Sequence, residues 1–445
     1  MSHPLPEAFL KNMQDMLGDE YPAFLRALDG PPALALRLNP KRTGAEAVAG
    51  AYIDGPVPWA EWGRYLVRDE ALKPGGSVAH AAGAFYLQEA SAMASAAVLD
   101  ARPGERVLDL CAAPGGKSTQ IAAAMGDAGL LVSNDPEPSR AKALAGNLER
   151  MGAANALVVS ALPDRLAALW PERFDALLVD APCSGEGMFR RDPAARDEWS
   201  PAAPEGCAKR QAGILDAAAE LLRPGGRLVY STCTFNAAEN EGSVEGFLAR
   251  HPEFAPEAFQ LPGVGASSNG TLRLLPNRVR GDGHFVAKLR KAGDAPRREA
   301  SGPARIDRTL AGYLDALERE ACRLPEFIRA MEFFVQGDRL YCRPADAPQT
   351  RGLKVVSPGL CLARLGRNHL EPEHALAMAL PPECALRTAS LDDEAARAWL
   401  RGEAIADAGE KGWALALWRG MPLGWGKRSD GLLKNHMPKG LRRPR

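Results

Sequence analysis

Between residues 101 and 290 the chain repeats one pattern: a short run that is apolar at almost every position, then a segment with apolar residues at helical spacing. The runs are "RVLDL", "GLLVSND", "NALVVS", "FDALLVD" and "RLVYSTC", and between them lie "KSTQIAAAMG", "SRAKALAGNLERMG" and "RQAGILDAAAELL". A strand that is apolar on both faces must be covered on both, and helices above and below a mostly parallel sheet accomplish this. The pattern predicts an α/β, Rossmann-like domain over residues 86–290. At 445 residues the chain exceeds what one core normally serves, so further domains are expected. Residues 1–85 read as an α+β extension, 291–305 ("RKAGDAPRREASGPAR" and its neighbourhood) as a linker, and 306–445 as a second α+β region.

Composition excludes several classes. The chain is 46% hydrophobic and 25% charged, which suits a folded water-soluble protein, and no apolar stretch approaches the ~20 residues that span a membrane. The start lacks the apolar run of a secretory signal, so a cytoplasmic protein with reduced thiols is expected. Its eight cysteines form no CxxC pair, which argues against structural zinc or any other metal. Lys plus Arg equals Asp plus Glu at 55 each, so overall charge draws no polyanion. The segment from Lys427 onward is locally basic, either as a solubilising tail or as a phosphate contact.

In "RVLDLCAAPGGKSTQIAAAM" a glycine turn joins the first run to a helix, with Ser118 as a candidate cap. It is neither GxGxxG nor a P-loop. Asp135 closes the second run, where an acid suits the hydroxyls of a ribose; a helix-capping role before "PEPSR" stays open. A ribose acid without a pyrophosphate loop favours S-adenosylmethionine over a dinucleotide. Two further runs end in cysteine, "VDAPCSGEGMF" at Cys183 and "VYSTCTF" at Cys233. Free cysteines are commonly buried small hydrophobes. A strand end amid Gly, Ser and Thr is instead where parallel-sheet enzymes place chemistry.

The stretches "LDLCAAPGGKSTQIA", "DALLVDAPCSGEGMFRR", "GGRLVYSTCTFNAAENE" and "RLLPNRVRGDGHFVAKL", with "AGAFYLQEASAM" upstream, resemble the RNA 5-cytosine methyltransferases of the NOL1/NOP2/Sun family. The resemblance implies a class I methyltransferase domain with a seven-stranded sheet and S-adenosylmethionine as cofactor. It implies Cys233 as nucleophile, Cys183 as the cysteine of product release, Asp180 as the acid at the base edge, and Pro182 as a wall of the pocket. By the same resemblance the cofactor loop comprises Cys111, Ala112, Ala113, Pro114, Gly115, Gly116 and Lys117, joined by Asp135 and Asp180. Lys117 could instead be an exposed helix-start lysine, and Arg140 reads as a solvated helix residue. The chemistry suits these residue types: carbon 5 of cytosine is a poor nucleophile until a thiolate adds to carbon 6, and an acid at N3 stabilises the charge that develops.

The expected partner is RNA, with the target cytosine single-stranded or flipped out. The C-terminal stretch "GMPLGWGKRSDGLLKNHMPKGLRR" resembles the PUA-like tail of bacterial members acting on small-subunit ribosomal RNA, acting as monomers. Transfer RNA as substrate, or an inactive RNA-binding assembly factor, are the alternatives. Candidate RNA contacts are Arg190, Arg191, Arg278, Arg280 and the basic tail, where Trp425 stands among Lys427, Arg428 and Lys434 but could equally be core.

Overall fold

The computed structural model describes residues 4–69, 71–294, 306–367 and 369–443; most of the expected linker, residues 295–305, lies outside the described residues. Its centre is a nine-stranded sheet built from β1 (Arg106–Asp109), β2 (Leu130–Asn134), β3 (Ala156–Ser160), β4 (Phe174–Asp180), β5 (Leu222–Thr232), β6 (Phe254–Pro256), β7 (Thr271–Leu274), β8 (His284–Lys291) and β9 (Lys354–Ser357). The order across the sheet is β6, β8, β5, β4, β1, β2, β3, β9, with β7 also on β8. Strands β1 to β5 pair in parallel, as their two-sided apolar character requires, while β8 runs antiparallel against β5.

Seven of these strands, β1 to β6 and β8, make the seven-stranded sheet that the resemblance implies. The remaining two cover its edges. β7 lies along the start of β8. β9 comes from beyond the linker and pairs with β3. Without it β3, buried at all five positions, would present a bare edge of N–H and C=O groups. Trp170 locks this closure by donating from Nε1 to the Gln349 carbonyl at 2.8 Å. Two apolar layers, one per face, sandwich the sheet: Ile121, Met125 and Leu144 lie on one side and Trp170, Leu215 and Phe247 on the other.

Residues before the domain form a four-stranded antiparallel sheet (Ala35–Leu38, Ile53–Pro56, Gly63–Leu66, Phe85–Leu87). From it Arg37, 1% exposed, reaches the helix after the glycine turn and donates to the Thr119 hydroxyl at 2.6 Å. Burial lowers the Arg37 guanidinium to about 9. Beyond the linker stand a four-stranded sheet (Glu332–Gln336 to Leu370–Pro372) and a five-stranded one (Thr388–Leu391 to Leu432–Asn435). The last sheet shares one apolar cluster with the N-terminal region: Leu36, Phe85 and Ala79 pack with Trp399, Leu423 and Met437.

Candidate active site

The strand order turns at β1, which has β4 on one side and β2 on the other. In open α/β sheets the crevice for ligands lies at the carboxyl ends of the strands beside such a reversal. There the chain places Asp109 on β1, Asp135 just past β2, Asp180 on β4 and Cys233 just past β5. The registers Asp109↔Leu178 and Asp180↔Ser231 bring these ends level.

Asp180 is the hub. Lys117 Nζ donates to its Oδ2 at 2.8 Å, the Ser231 hydroxyl donates to Oδ1 at 2.8 Å, and His284 Nε2 stands 3.4 Å from Oδ1 without an aligned hydrogen bond. Burial works to raise Asp180, but the Lys117 ammonium and His284 outweigh it and hold the carboxyl well below its usual range. Burial opposes the charge on Lys117 likewise, yet Asp180 keeps its ammonium above the usual value. One strand away, Asp109 is fully buried, and desolvation pushes it up to about 7 against the bond donated by Ser118 at 2.7 Å. Its other oxygen, Oδ1, has no partner among the described residues.

The two cysteine loops are laced together. Cys183 Sγ lies 3.4 Å from Cys233 Sγ. That contact first, and burial next, raise the Cys183 thiol well above its ordinary value. Glu186, at 1% exposure, accepts from the Thr234 hydroxyl (2.7 Å) and the N–H groups of Phe235 (2.8 Å) and Asn236 (2.9 Å). Glu239, fully buried, accepts from the Ser184 hydroxyl, the Ser184 N–H (3.0 Å), Gln211 (2.9 Å) and Asn236 (2.8 Å). Each glutamate therefore ties the Cys183 loop to the Cys233 loop. Gly187 completes the seam by donating to the Cys233 carbonyl at 2.8 Å; a Cβ there would stand 2.7 Å from that oxygen, so a side chain would force the loops apart.

Comparison with known proteins places this geometry. A family model described as 16S rRNA methyltransferase RsmB/F matches residues 96–290, and models of the RsmF N-terminal domain, first C-terminal domain and PUA domain match 5–90, 319–380 and 387–443. Ribosomal RNA small subunit methyltransferase F of Cronobacter sakazakii is 33% identical, covering 98% of this chain and 96% of its own length.

The chain belongs to the ribosomal RNA small subunit methyltransferase F family.

The homologue from Klebsiella pneumoniae is 34% identical over 98% of this chain and 96% of its own length. A crystal structure of a methyltransferase homolog protein from Pyrococcus horikoshii is 28% identical and aligns with a TM-score of 0.57, covering 65% of this chain and 96% of that one. This methyltransferase is thus an RNA-modifying enzyme, and its strand ends fit S-adenosylmethionine. The Asp109 oxygen without a partner among the described residues lies beside the glycine turn, and buried Asp135 stands just past the end of β2.

Several readings from the sequence need correction. Ser118 does not cap its helix: Gly115 holds the N-cap position in a left-handed conformation, and the Ser118 hydroxyl turns inward to Asp109. Lys117 is not an exposed helix-start lysine, because Asp180 draws it into the sheet end. Arg140 is exposed on its helix, as expected of a solvated residue, and in addition donates to the Ala113 carbonyl at 3.0 Å and lies 3.5 Å from Asp135. Asp135 itself accepts from the Glu137 N–H at 3.0 Å, so local turn capping occurs alongside its strand-end placement. Cys111 is partly buried, and desolvation followed by the nearby Asp109 pushes its thiol far up, which leaves it protonated.

The candidate RNA arginines are each ion-paired within the protein. Arg190 and Arg191 both pair with Asp282, Arg278 pairs with Glu20 at 2.5 Å, and Arg280 pairs with Asp54 at 2.7 Å while lying over the Tyr65 ring. Trp425 is core, at 1% exposure, and Arg428 is buried against Asp407. Sequence reasoning missed Asp109, His284, Glu186 and Glu239. The two glutamates did leave a signal: each stands within a few residues of a cysteine in a stretch of Gly, Ser, Thr and Asn, where a solvated acid has no evident task.

Proposed function

We propose that this enzyme methylates carbon 5 of cytosine in small-subunit ribosomal RNA through a covalent bond between Cys233 and the base. The observation that carries this reading is the 3.4 Å approach of two thiols from different strand ends, beside a carboxylate paired with a buried lysine. When bound, S-adenosylmethionine supplies an electrophilic methyl group. The chain's own residues do the rest. The Cys233 thiolate adds to carbon 6, forming the S–C6 bond and shifting the ring's double-bond electrons to carbon 5, which becomes the acceptor. Asp180, with Lys117 and Ser231 fixing its orientation, faces the base edge, and the Lys117 ammonium beside it offsets the negative charge that develops on the ring. After methylation the carbon 5 proton departs to a base, the C5–C6 double bond re-forms and Cys233 leaves as thiolate. Cys183, poised at its sulfur, assists this release.

Asp109 and Asp135 would hold the cofactor, with the backbone from Cys111 to Gly116 and Lys117 lining its site. On this reading the enzyme works in the cytoplasm as a monomer. No helix among the described residues is long and apolar enough to cross a membrane, and no group of three or more His, Cys, Asp or Glu there could hold a metal ion. Bisulfite sequencing of small-subunit ribosomal RNA from cells with and without the gene tests the proposal. One or more cytosines should lose protection when the gene is absent; an unchanged pattern there, with a change in transfer RNA, would move the substrate.

A further inference from the structure

Arg190, Arg191, Arg278 and Arg280 each pair with a carboxylate of the protein, yet RNA must be held somewhere, because extracting a base from a stack costs a few kcal/mol that contacts elsewhere offset. Five cations converge in another place. A cleft of about 690 Å³ opens between the N-terminal region and the helix Asp393–Arg401, lined by Lys73, Arg397, Arg401, Arg419 and Arg443 against a single acid, Asp393. That acid is occupied, accepting from Trp418 Nε1 at 2.7 Å and from Arg419 at 3.2 Å. Arg401 leans on Glu403 at 2.6 Å. Lys73, Arg397 and Arg443 have no ion-pair partner among the described residues. Lys73 and Arg397 are exposed, while Arg443 donates to the Ser77 carbonyl at 3.0 Å and is half-buried, its guanidinium pKa lowered by desolvation.

We infer that this cleft is a phosphate-binding groove for an RNA strand, gripping it away from the cysteines while the target nucleotide enters the sheet end. The inference rests on RNA being the substrate. Its chemistry is that of a polyanion: an anionic backbone with several charges in a row would satisfy Lys73, Arg397 and Arg443 together, which a single carboxylate could not. The groove forms where the helix Asp393–Arg401 and Arg443 meet the N-terminal region, and Arg443 donates across it to Ser77.

The test is RNA binding by the full chain, followed over a range of salt concentrations with a small-subunit ribosomal RNA fragment. Lys73→Glu with Arg397→Glu should weaken binding at least tenfold near physiological salt. It should also make the log–log salt dependence shallower by about 1.5, since each lost phosphate contact removes ~0.7–0.9 from the slope. The loss should fall on KM rather than on kcat at saturating RNA. Arg329→Glu with Arg364→Glu, the same change of net charge at exposed ion pairs elsewhere, should leave binding within twofold. Unchanged affinity and slope in the first variant would overturn the groove, as would an equal loss in the second. Weaker binding to assembled subunits with unaltered binding to free RNA would also overturn it, pointing to a protein partner. Wild-type methylation of the RNA is scored separately: its absence would fault the proposed reaction, whereas its persistence beside unaltered binding would fault the groove alone.

Discussion

Cys183 Sγ and Cys233 Sγ lie 3.4 Å apart although 50 residues separate them in the chain. Parallel pairing of β4 with β5 sets the distance, and Glu186 and Glu239 hold the two loops at it. Two sulfurs this close cannot both serve as independent buried hydrophobes without meeting at the same opening. Different losses are expected from each. Cys233→Ala should reduce methyl transfer below detection and leave cofactor affinity near normal, read by tritium transfer and by calorimetry. Cys183→Ala should accumulate a protein–RNA adduct on a denaturing gel; an adduct from Cys233→Ala and none from Cys183→Ala would exchange the two roles.

The Lys117–Asp180 pair makes a claim about acid stability. Asp180 is held below the ordinary carboxylate range, so its contribution is fully present above the unfolded value of about 3.9 and is lost as pH falls through the lower folded value. Asp180→Asn leaves the buried ammonium uncompensated and should cost about 3 kcal/mol at neutral pH. The acid limb of the stability profile should flatten in the same variant. Denaturant unfolding from pH 3 to 7 checks both.

Asp109 works in the opposite sense. Burial raises its carboxyl to about 7, so the folded state keeps a proton that the unfolded chain has released, and stability falls as pH climbs from about 4 to 7. Asp109→Asn should remove that slope and stabilise the cofactor-free protein by on the order of 2 kcal/mol at pH 8. Cofactor affinity should drop in the same variant if the free Oδ1 faces the ligand's positive charge. Thermal unfolding against pH, with and without cofactor, separates the two effects.

Glu239 should act through position alone. Glu239→Ala strands the Ser184 N–H, Gln211 and Asn236 donors in a buried seam, at about 3 kcal/mol. Adduct formation in the Cys183→Ala background should fall with it, because the loops separate. Glu239→Gln keeps one acceptor oxygen and should recover part of both losses; an adduct yield untouched by either change would remove Glu239 from the positioning of the thiols.

Much of the catalytic end was legible beforehand. Apolar runs free of polar alternation can only be covered strands, and the residue that follows such a run stands at the mouth of the sheet, which places Asp135, Asp180 and Cys233 from local pattern alone. The cations could not be placed in this way. An arginine's availability depends on which carboxylate the fold brings beside it, and Arg190 and Arg191 meet Asp282 across about ninety residues of chain. The same holds for Trp425, whose neighbours on the chain are basic but whose packing partners are apolar.

What local sequence determined, then, was the two-sided burial of strands β1 to β5 and the chemistry at their ends, because period and composition act over a few residues. Tertiary structure alone decided how the outer regions meet: β9 seals the sheet edge at β3, Leu36 and Phe85 share a core with Trp399 and Met437, and Arg443 returns to Ser77. These contacts join segments hundreds of residues apart. No periodicity encodes them, since each partner is chosen by the surface left exposed once the local elements have formed.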